Sequence, residues 1–445
     1  MQQINPITFV HLSDIHFRKN ANTPYDAFKD IRNELELDAK DRANALGGVY
    51  GIVVGGDIAF SGKPEEYELA NQWLRGFAIQ IGVDPAERIW VVPGNHDIDR
   101  QSIEKSLLIQ NIHKDLRADA SMIDEKLAAY MVKDEEAKKL ILKPLQGYND
   151  FAARFGCDLS PEKPFWEDDV TLNDGSLLRI RGLNSTIVSD EQDNDASHKL
   201  VLGKRQMEMT RQDGVEYLVL CHHPPQWLFD QDTAEDLFVK RARLQLFGHK
   251  HRQRLTRIDD GVRIASGAMH PDIREPNWQP RYNFIQICIK RDGGQRTMLL
   301  HVHPRVLRED EGGKFMKEAQ DGGGEFREFA LPLPVWQSPK SMAKPATVSN
   351  SVPITEAALV NPRGANMRSA RKLTYRFLSL PHHRQLAIAQ QLGLVRDEDE
   401  GARDNELYRR YFSRAQEEHK LEEFWNAVEK VSAELETGHD STGAA

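Results

Sequence analysis

Five short polar clusters follow one another in the first 251 residues, and each is built from side chains that bind metal ions. They are Asp14 and His16 in SDIH, Asp57 in GGDI, Asn95 with His96 and Asp97 in GNHD, His222 in CHHPP, and His249 with His251 in GHKH. Carboxylates, imidazoles and one amide carbonyl, gathered without thiolates, suit divalent first-row metals. Asp14, His16, Asp57, Asn95, His222, His249 and His251 are more ligands than one ion needs. They fill most of two sites if one carboxylate bridges them, and a bridged pair roughly 3.5–4 Å apart is usual in phosphatases and nucleases. Asp57 is the candidate bridge.

The elements that must position these groups are legible beside them. Each cluster follows an apolar run (ITFVHL, GIVVGG, RIWVVP, EYLVLC, LQLFG) that reads as a buried strand. The polar groups therefore fall where a strand ends and a loop begins, which is where α/β sheets place their chemistry. A helix is expected around Ala27 to Arg42, and SGKPEEYELANQWLRGF offers Trp73, Leu74 and Phe77 as a helix face for the sheet. From about Asp99 to Phe155 the chain holds no metal block and carries apolar residues at helical spacing among Lys, Glu and Ala. That stretch reads as an inserted helical cap, expected to overhang the metals and select what enters. Three later segments, VTLNDGSLLRIRGLNS, RLTRIDDGVRIASGA and YNFIQICIKRDGGQRTMLLHVHP, each carry a DG-type turn between alternating runs and are expected to build a second sheet.

The ordered blocks D-x-H, G-D, G-N-H-D, a lone H and G-H-x-H resemble the calcineurin-like metallophosphoesterases over approximately residues 7 to 305. Five motifs in the correct order are far more specific than one short match. The resemblance implies a four-layer αββα sandwich and two divalent ions. One would be held by Asp14, His16, Asp57 and His251, the other by Asp57, Asn95, His222 and His249. Of the paired histidines in HHPP, His222 aligns with the ligand and His223 falls where relatives tolerate glycine, leaving it a candidate substrate contact beside Asn184. His96 would donate a proton to the leaving oxygen or stabilise the charge on phosphorus, with Asp97 fixing its tautomer. Attack on phosphorus by an activated water, with no covalent protein intermediate, is the implied chemistry. The phrase G-D-I-A-x-S-G-x-x-x-E-Y is similar to the cyclic-nucleotide phosphodiesterase-like branch. The other histidines, among them His113, His198, His270, His301, His303, His382, His383 and His419, are assigned no role; His270, after SGAM, lies nearest to a pocket-lining position.

Composition sets the frame. The chain has 445 residues, 40% hydrophobic and 29% charged, enough for two or three globular domains. A formal charge of −9 argues against an unspecific grip on the phosphate backbone. Cys157, Cys221 and Cys288 are widely spaced, and MQQINPITFV leads straight into a strand without an apolar signal core, so a reducing cytoplasm is the expected setting. The domain reading is 1–308 for the metallophosphoesterase domain with its insertion at about 99–155, 309–362 for a loop and linker, and 363–445 for a small all-α domain. In the last of these, Pro381 suits a helix start and Gly393 a helix end. The tail holds no ligand cluster and resembles the death-fold-like adaptor modules that prokaryotic conflict systems attach to effector enzymes. Trp425 and Phe424 are its candidates for an exposed protein-binding face.

The function expected is hydrolysis of a phosphodiester in a nucleotide or nucleic acid, with Mn²⁺ the working choice of metal beside Fe, Zn, Ni or Mg. A role as an effector in prokaryotic defence or stress is what the tail's resemblance to those adaptor modules implies. A small-molecule phosphomonoesterase is the alternative within enzymes, and a silent binding or regulatory protein the alternative outside them.

Overall fold

Strands that are apolar on both faces, such as ITFVHL, must be covered on both sides, and this governs the larger part of the chain. The computed structural model describes residues 6–191, 193, 199–270, 279–320, 324–337 and 362–439. The chain divides into two units, one of Met1–Tyr148 with Leu159–Val352, the other of Asn149–Asp158 with Pro353–Ala445.

The first unit carries the strands β1 (Ile7–Leu12), β2 (Gly51–Val54), β3 (Ile89–Val91), β4 (Trp166–Thr171), β5 (Leu177–Gly182), β6 (Val215–Cys221), β7 (Ala242–Phe247), β8 (Arg254–Ile258), β9 (Gly261–Ala265), β10 (Arg281–Asp292), β11 (Gln295–Arg308), β12 (Lys314–Lys317) and β13 (Arg327–Leu333). One sheet runs β12-β11-β10-β1-β2-β3 with β13 on β11, and the other runs β4-β5-β6-β7-β9-β8. Each has a parallel run, β1-β2-β3 at one end of the first and β5-β6-β7-β9 in the middle of the second. Contacts tie one to the other: Trp90 Nε1 donates to Asp168 and Trp166 Nε1 to the Val91 carbonyl. Helices Lys29–Ala45 and Pro64–Gln80 connect the strands of the first sheet and bury Leu35, Ala39, Leu74 and Phe77. The mixed α/β fold with paired sheets is the architecture read from sequence.

Two sheet assignments differ from that reading. The DGG hairpin β10–β11 joins the first sheet, because β10 pairs antiparallel with β1, Ile7 opposite Ile287. A hairpin signal fixes a pair of strands and is silent about which third strand they meet. Strands β12 and β13 lie inside the segment read as linker. In β13 the burial alternates along Arg327–Leu333, but Pro332 and Pro334 mask that alternation, and proline is tolerated there because β13 is an edge.

The 99–155 segment is helical, through Arg100–Glu104, Leu107–Leu116, Ile123–Ala128, Glu135–Leu140 and Gln146–Ala152. It lines a cavity of about 720 Å³ with Arg100, His113 and Arg117 that includes none of the sequence-predicted ligands. Its last residues do not stay with it: 149–158 belong to the second unit.

That second unit packs helices Pro362–Leu378, His382–Gln391, Asp404–Glu417 and Leu421–His439. Its core gathers Ala153, Phe377, Leu394, Tyr408, Phe424 and Val428. Pro381 caps the second helix, and Gly393 follows it at φ +67°. Phe424 is fully buried and Trp425 packs partly against the same core, so neither is the exposed anchor expected. The reason is their spacing: Phe424, Val428 and Val431 recur at i, i+4 and i+7, the pattern of an inward face. Among the described residues no helix is long and apolar enough to cross a membrane.

Candidate metal centre

Asp14 follows β1, Asp57 follows β2, Asn95 follows β3, His222 follows β6, and His249 and His251 follow β7, so parallel strands from both sheets aim their carboxyl ends at one place. The backbone pays for this aim in conformation. Asp14, His16, Asp57, His249 and His251 all sit in the left-handed region, with φ of 56°, 52°, 53°, 68° and 51°. Non-glycine residues enter that region rarely, at a cost of roughly 1–3 kcal/mol each, and chiefly at functional sites. Glycines leave room for the side chains so aimed. A Cβ on Gly56 would lie 2.6 Å from His222 Nδ1, and one on Gly94 would strike the Asp57 carboxylate.

Asp57 is the hub. Its Oδ2 lies 3.2 Å from His16 Nε2 and 3.3 Å from His222 Nε2, and its Oδ1 accepts from the His96 backbone N–H at 2.7 Å. Asp14 is fully buried, with Oδ2 accepting from Ser13 Oγ at 2.5 Å and Oδ1 3.1 Å from His251 Nε2. The Asn95 Oδ1 atom faces His222 Nε2 at 3.2 Å, His223 Nε2 at 3.2 Å and His249 Nδ1 at 3.0 Å.

This donor set fits divalent metals. His222 Nδ1 donates to the Gly55 carbonyl at 2.7 Å, so in the neutral ring Nε2 carries a lone pair. That lone pair points at two acceptor oxygens, Asn95 Oδ1 and Asp57 Oδ2. Acceptors converging on acceptors call for positive charge between them, whether a proton or a metal ion. Burial opposes charge on His222, but Asp57 and Asp14 outweigh it and push the pKa up to about 9. Burial and the His222 charge push His249 down to about 3, which favours the neutral ring that metal ligation needs. Asp14, His16 and His251 offer ligand atoms within 4.8 Å of one another, as do Asp14, Asp57 and His222, and also His222, His223 and His249.

His223, a candidate substrate contact by sequence, lies among these groups: it is fully buried, shares Asn95 Oδ1 with His222 and His249, and is held at Nδ1 by Ser185 Oγ at 2.8 Å. Two other roles read from sequence differ here. Asn184, expected to contact substrate, is buried and spends its Oδ1 on Thr186 N and Oγ1 in a local turn. Its neighbour Ser185 is the residue that reaches the site. Asp97 does not hold the His96 ring, because His96 Nδ1 instead lies 2.9 Å from the Phe60 carbonyl. The Asp97 carboxylate turns inward and accepts from the backbone of Ile58, Ala59 and Gly94 and from Tyr67 Oη at 2.9 Å. Burial and Asp57 push the Asp97 pKa up while those backbone donors oppose them. Asp97 thus locks the Asp57 loop to the GNHD turn.

Sequence reasoning missed Ser13, Phe60 and Tyr67. The SDIH block displayed Ser13, and the E-Y of the phosphodiesterase-like phrase displayed Tyr67, but no spacing rule reveals a backbone carbonyl such as that of Phe60. Of the histidines assigned no role, His270 lies beneath the site: its carbonyl faces His16 Nδ1 at 3.3 Å, its Nδ1 contacts the Ile15 carbonyl, and its ring stacks on Phe28. His198 lies outside the described residues.

Comparison with known proteins agrees with this geometry. Residues 7–253 match the calcineurin-like phosphoesterase family, and residues 369–430 match the GTPase-associated adaptor domain. The chain belongs to the calcineurin-like phosphoesterases and carries an adaptor domain of that type near its carboxyl end. Glycerophosphodiester phosphodiesterase GpdQ of Enterobacter lignolyticus is 35% identical over 88 residues, 20% of this chain; the match spans 28% of that relative's length. Among solved structures, purple acid phosphatase PPD1 of yellow lupin aligns at 10% identity and TM-score 0.37 over 78% of this chain and 58% of its own. Vps29 of Chaetomium thermophilum aligns at 10% identity and TM-score 0.29 over 74% of this chain and 100% of its own.

Proposed function

We propose that this protein is a dinuclear-metal phosphodiesterase acting on a nucleotide or nucleic acid, and that its adaptor domain recruits it to a protein partner as an effector in prokaryotic defence or stress. The observation that carries the enzymatic part is the convergence of imidazole nitrogens on Asp57 and Asn95, with His16, Asp57 and His249 held there in left-handed backbone positions. Asp14, His16, Asp57 and His251 would hold one ion and Asp57, Asn95, His222 and His249 the other, with Mn²⁺ the working choice and His223 within reach of the second set. Such ions lower the pKa of water and neutralise the charge on phosphoryl oxygens. The residues themselves do the rest. With Nδ1–H committed to Phe60, His96 keeps Nε2 as the atom that takes or gives a proton, beside the His16 ring at 4.7 Å between centroids. Asp57 Oδ1 fixes the His96 backbone, so any shift of the hub moves the proton carrier too.

Purified full-length protein loaded with Mn²⁺ and offered bis-p-nitrophenyl phosphate, p-nitrophenyl phosphate, cyclic nucleotides and oligonucleotides tests this directly, with Asp57→Asn as control. Diester turnover lost in the control is expected. Monoester turnover in large excess over diester would replace the reading with a phosphomonoesterase. Metal uptake without hydrolysis of any ester would make the chain a binding protein. Support for recruitment comes from the adaptor-domain match alone, and capture of a partner that depends on residues 369–430 is its test.

A further inference from the structure

Positive charge is concentrated beside the metal centre of a chain whose net charge is −9. A cavity of about 760 Å³ opens directly from His249 and His251 and runs onto strand β8, with Pro224 and Trp227 on its other wall. Lys250, Arg252, Arg254 and Arg263 line it, and no carboxylate does among the described residues. Arg263 is already paired, to Glu235 at 2.8 Å. Lys250, Arg252 and Arg254 are exposed, and among the described residues none has a carboxylate partner. Alternation along β8 puts Arg254, Thr256 and Ile258 on the cavity face and Arg257 on the other. At the opposite end of a chain of ring contacts, His251 to His16 to His96 to Phe60, the exposed Arg18 guanidinium rests 3.5 Å over the Phe60 ring.

Cations without a carboxylate partner among the described residues suit a substrate that carries phosphates beyond the one being hydrolysed, since the metal ions themselves would neutralise the reacting group. A cyclic nucleotide has no second phosphate to offer them. A nucleic-acid strand has one on each side of the scissile bond, spaced along a backbone that a row of arginines tracks. Resting on the phosphodiesterase reading above, we infer that the groove from His251 along β8 binds the phosphate backbone of an oligonucleotide, with Lys250, Arg252 and Arg254 on one flank of the scissile phosphate and Arg18 on the other.

The test measures binding of fluorescein-labelled dT12 to the full chain by anisotropy across a KCl series, in EDTA so that no turnover occurs. Wild type is compared with an Arg252→Ala/Arg254→Ala double variant and with Arg257→Ala as a charge control from the far face of β8. Each phosphate contact on a single strand contributes about 0.7 to the salt slope. The double variant is expected to lose roughly 1.4 of that slope and about tenfold or more in affinity at low salt; Arg257→Ala is expected to track wild type. In the metal-loaded protein, turnover of dT12 by the double variant should fall at least tenfold more than turnover of bis-p-nitrophenyl phosphate. No salt-dependent binding by wild type, equal loss in Arg257→Ala, or displacement of dT12 by tripolyphosphate at equal phosphate concentration would each overturn the assignment of the groove to nucleic acid. Failure of the enzymatic reading itself shows separately, as absence of bis-p-nitrophenyl phosphate hydrolysis by wild type while dT12 still binds.

Discussion

Asp97 and His96 are neighbours in sequence whose surroundings give them different work. His96 presents a ring at the centre with one nitrogen tied to a carbonyl, whereas Asp97 is an internal strut accepting from three backbone amides and Tyr67. His96→Ala should therefore leave metal content and melting temperature near wild type while the rate falls about 10²–10⁴-fold, most steeply for esters with poor leaving groups. Asp97→Ala strands buried donors at roughly 1–3 kcal/mol apiece and frees the Asp57 loop. It should lower stability by about 3 kcal/mol and empty the metal sites. Metal analysis and thermal melts of the two variants decide it, and an Asp97→Ala protein that melts and binds metal normally would show that Asp97 is not a strut for the Asp57 loop. At this scale the residue types and their order were legible because metal ligation demands particular atoms. Where an atom points was not: HHPP shows two histidines, and only the fold reveals that His223 turns to Asn95 through its bond to Ser185.

At the scale of elements, strand ends deliver the ligands and glycines grant them space, so a single methyl group is a sharp probe. Gly94 lies against Asp57, and its Cβ would have to displace that carboxylate. Gly94→Ala is expected to reduce bound metal below one ion per chain with secondary structure retained, read by metal analysis beside circular dichroism; full occupancy would show that the loop yields cheaply. In the helical unit, Asp399 pins the Asp404–Glu417 helix by a two-pronged pair with Arg414 at 2.6 and 2.9 Å and a further contact to Arg410. The Arg414 hydrogen bond leads in pulling its pKa from 3.8 down to about 2. A depressed carboxylate stabilises the fold above its unfolded pKa and loses that contribution as pH falls through the folded value. The melting-temperature gap between wild type and Asp399→Asn should accordingly be open at pH 6, narrow below about pH 4 and close near pH 2. A gap independent of pH would mean that the pair contributes nothing ionic. Helices and central strands were readable from periodicity, while β12 and β13 were not, because edge strands are short and admit the glycine and proline that otherwise signal loops.

For the whole molecule, the informative residues are 149–158. Chain order places them in the helical insertion, but Ala153 lies in the core that contains Leu373 and Phe377, and the Phe155 ring is 6.1 Å from Tyr375. No local pattern announces a partner more than 200 residues away, so a sequence-drawn boundary at 309 or 363 passes over it. Cutting the chain after Gln337 thus does more than remove a tail. It takes away the helices against which this segment is buried, and apolar groups so uncovered each forfeit about 1.5–3 kcal/mol of burial. The proposed metal ligands all belong to the other unit. The shortened protein is expected to keep its metal and its turnover of bis-p-nitrophenyl phosphate within a few-fold, while protease cleavage appears between 149 and 158 and dye binding to exposed apolar surface rises. Restoring solubility by a Phe155→Ser substitution in the shortened chain would confirm the cause. If the cut instead abolishes metal binding, the 149–158 segment with its helical partners is part of the framework that holds the centre, and the adaptor domain is as much a structural component of the enzyme as a means of recruiting it.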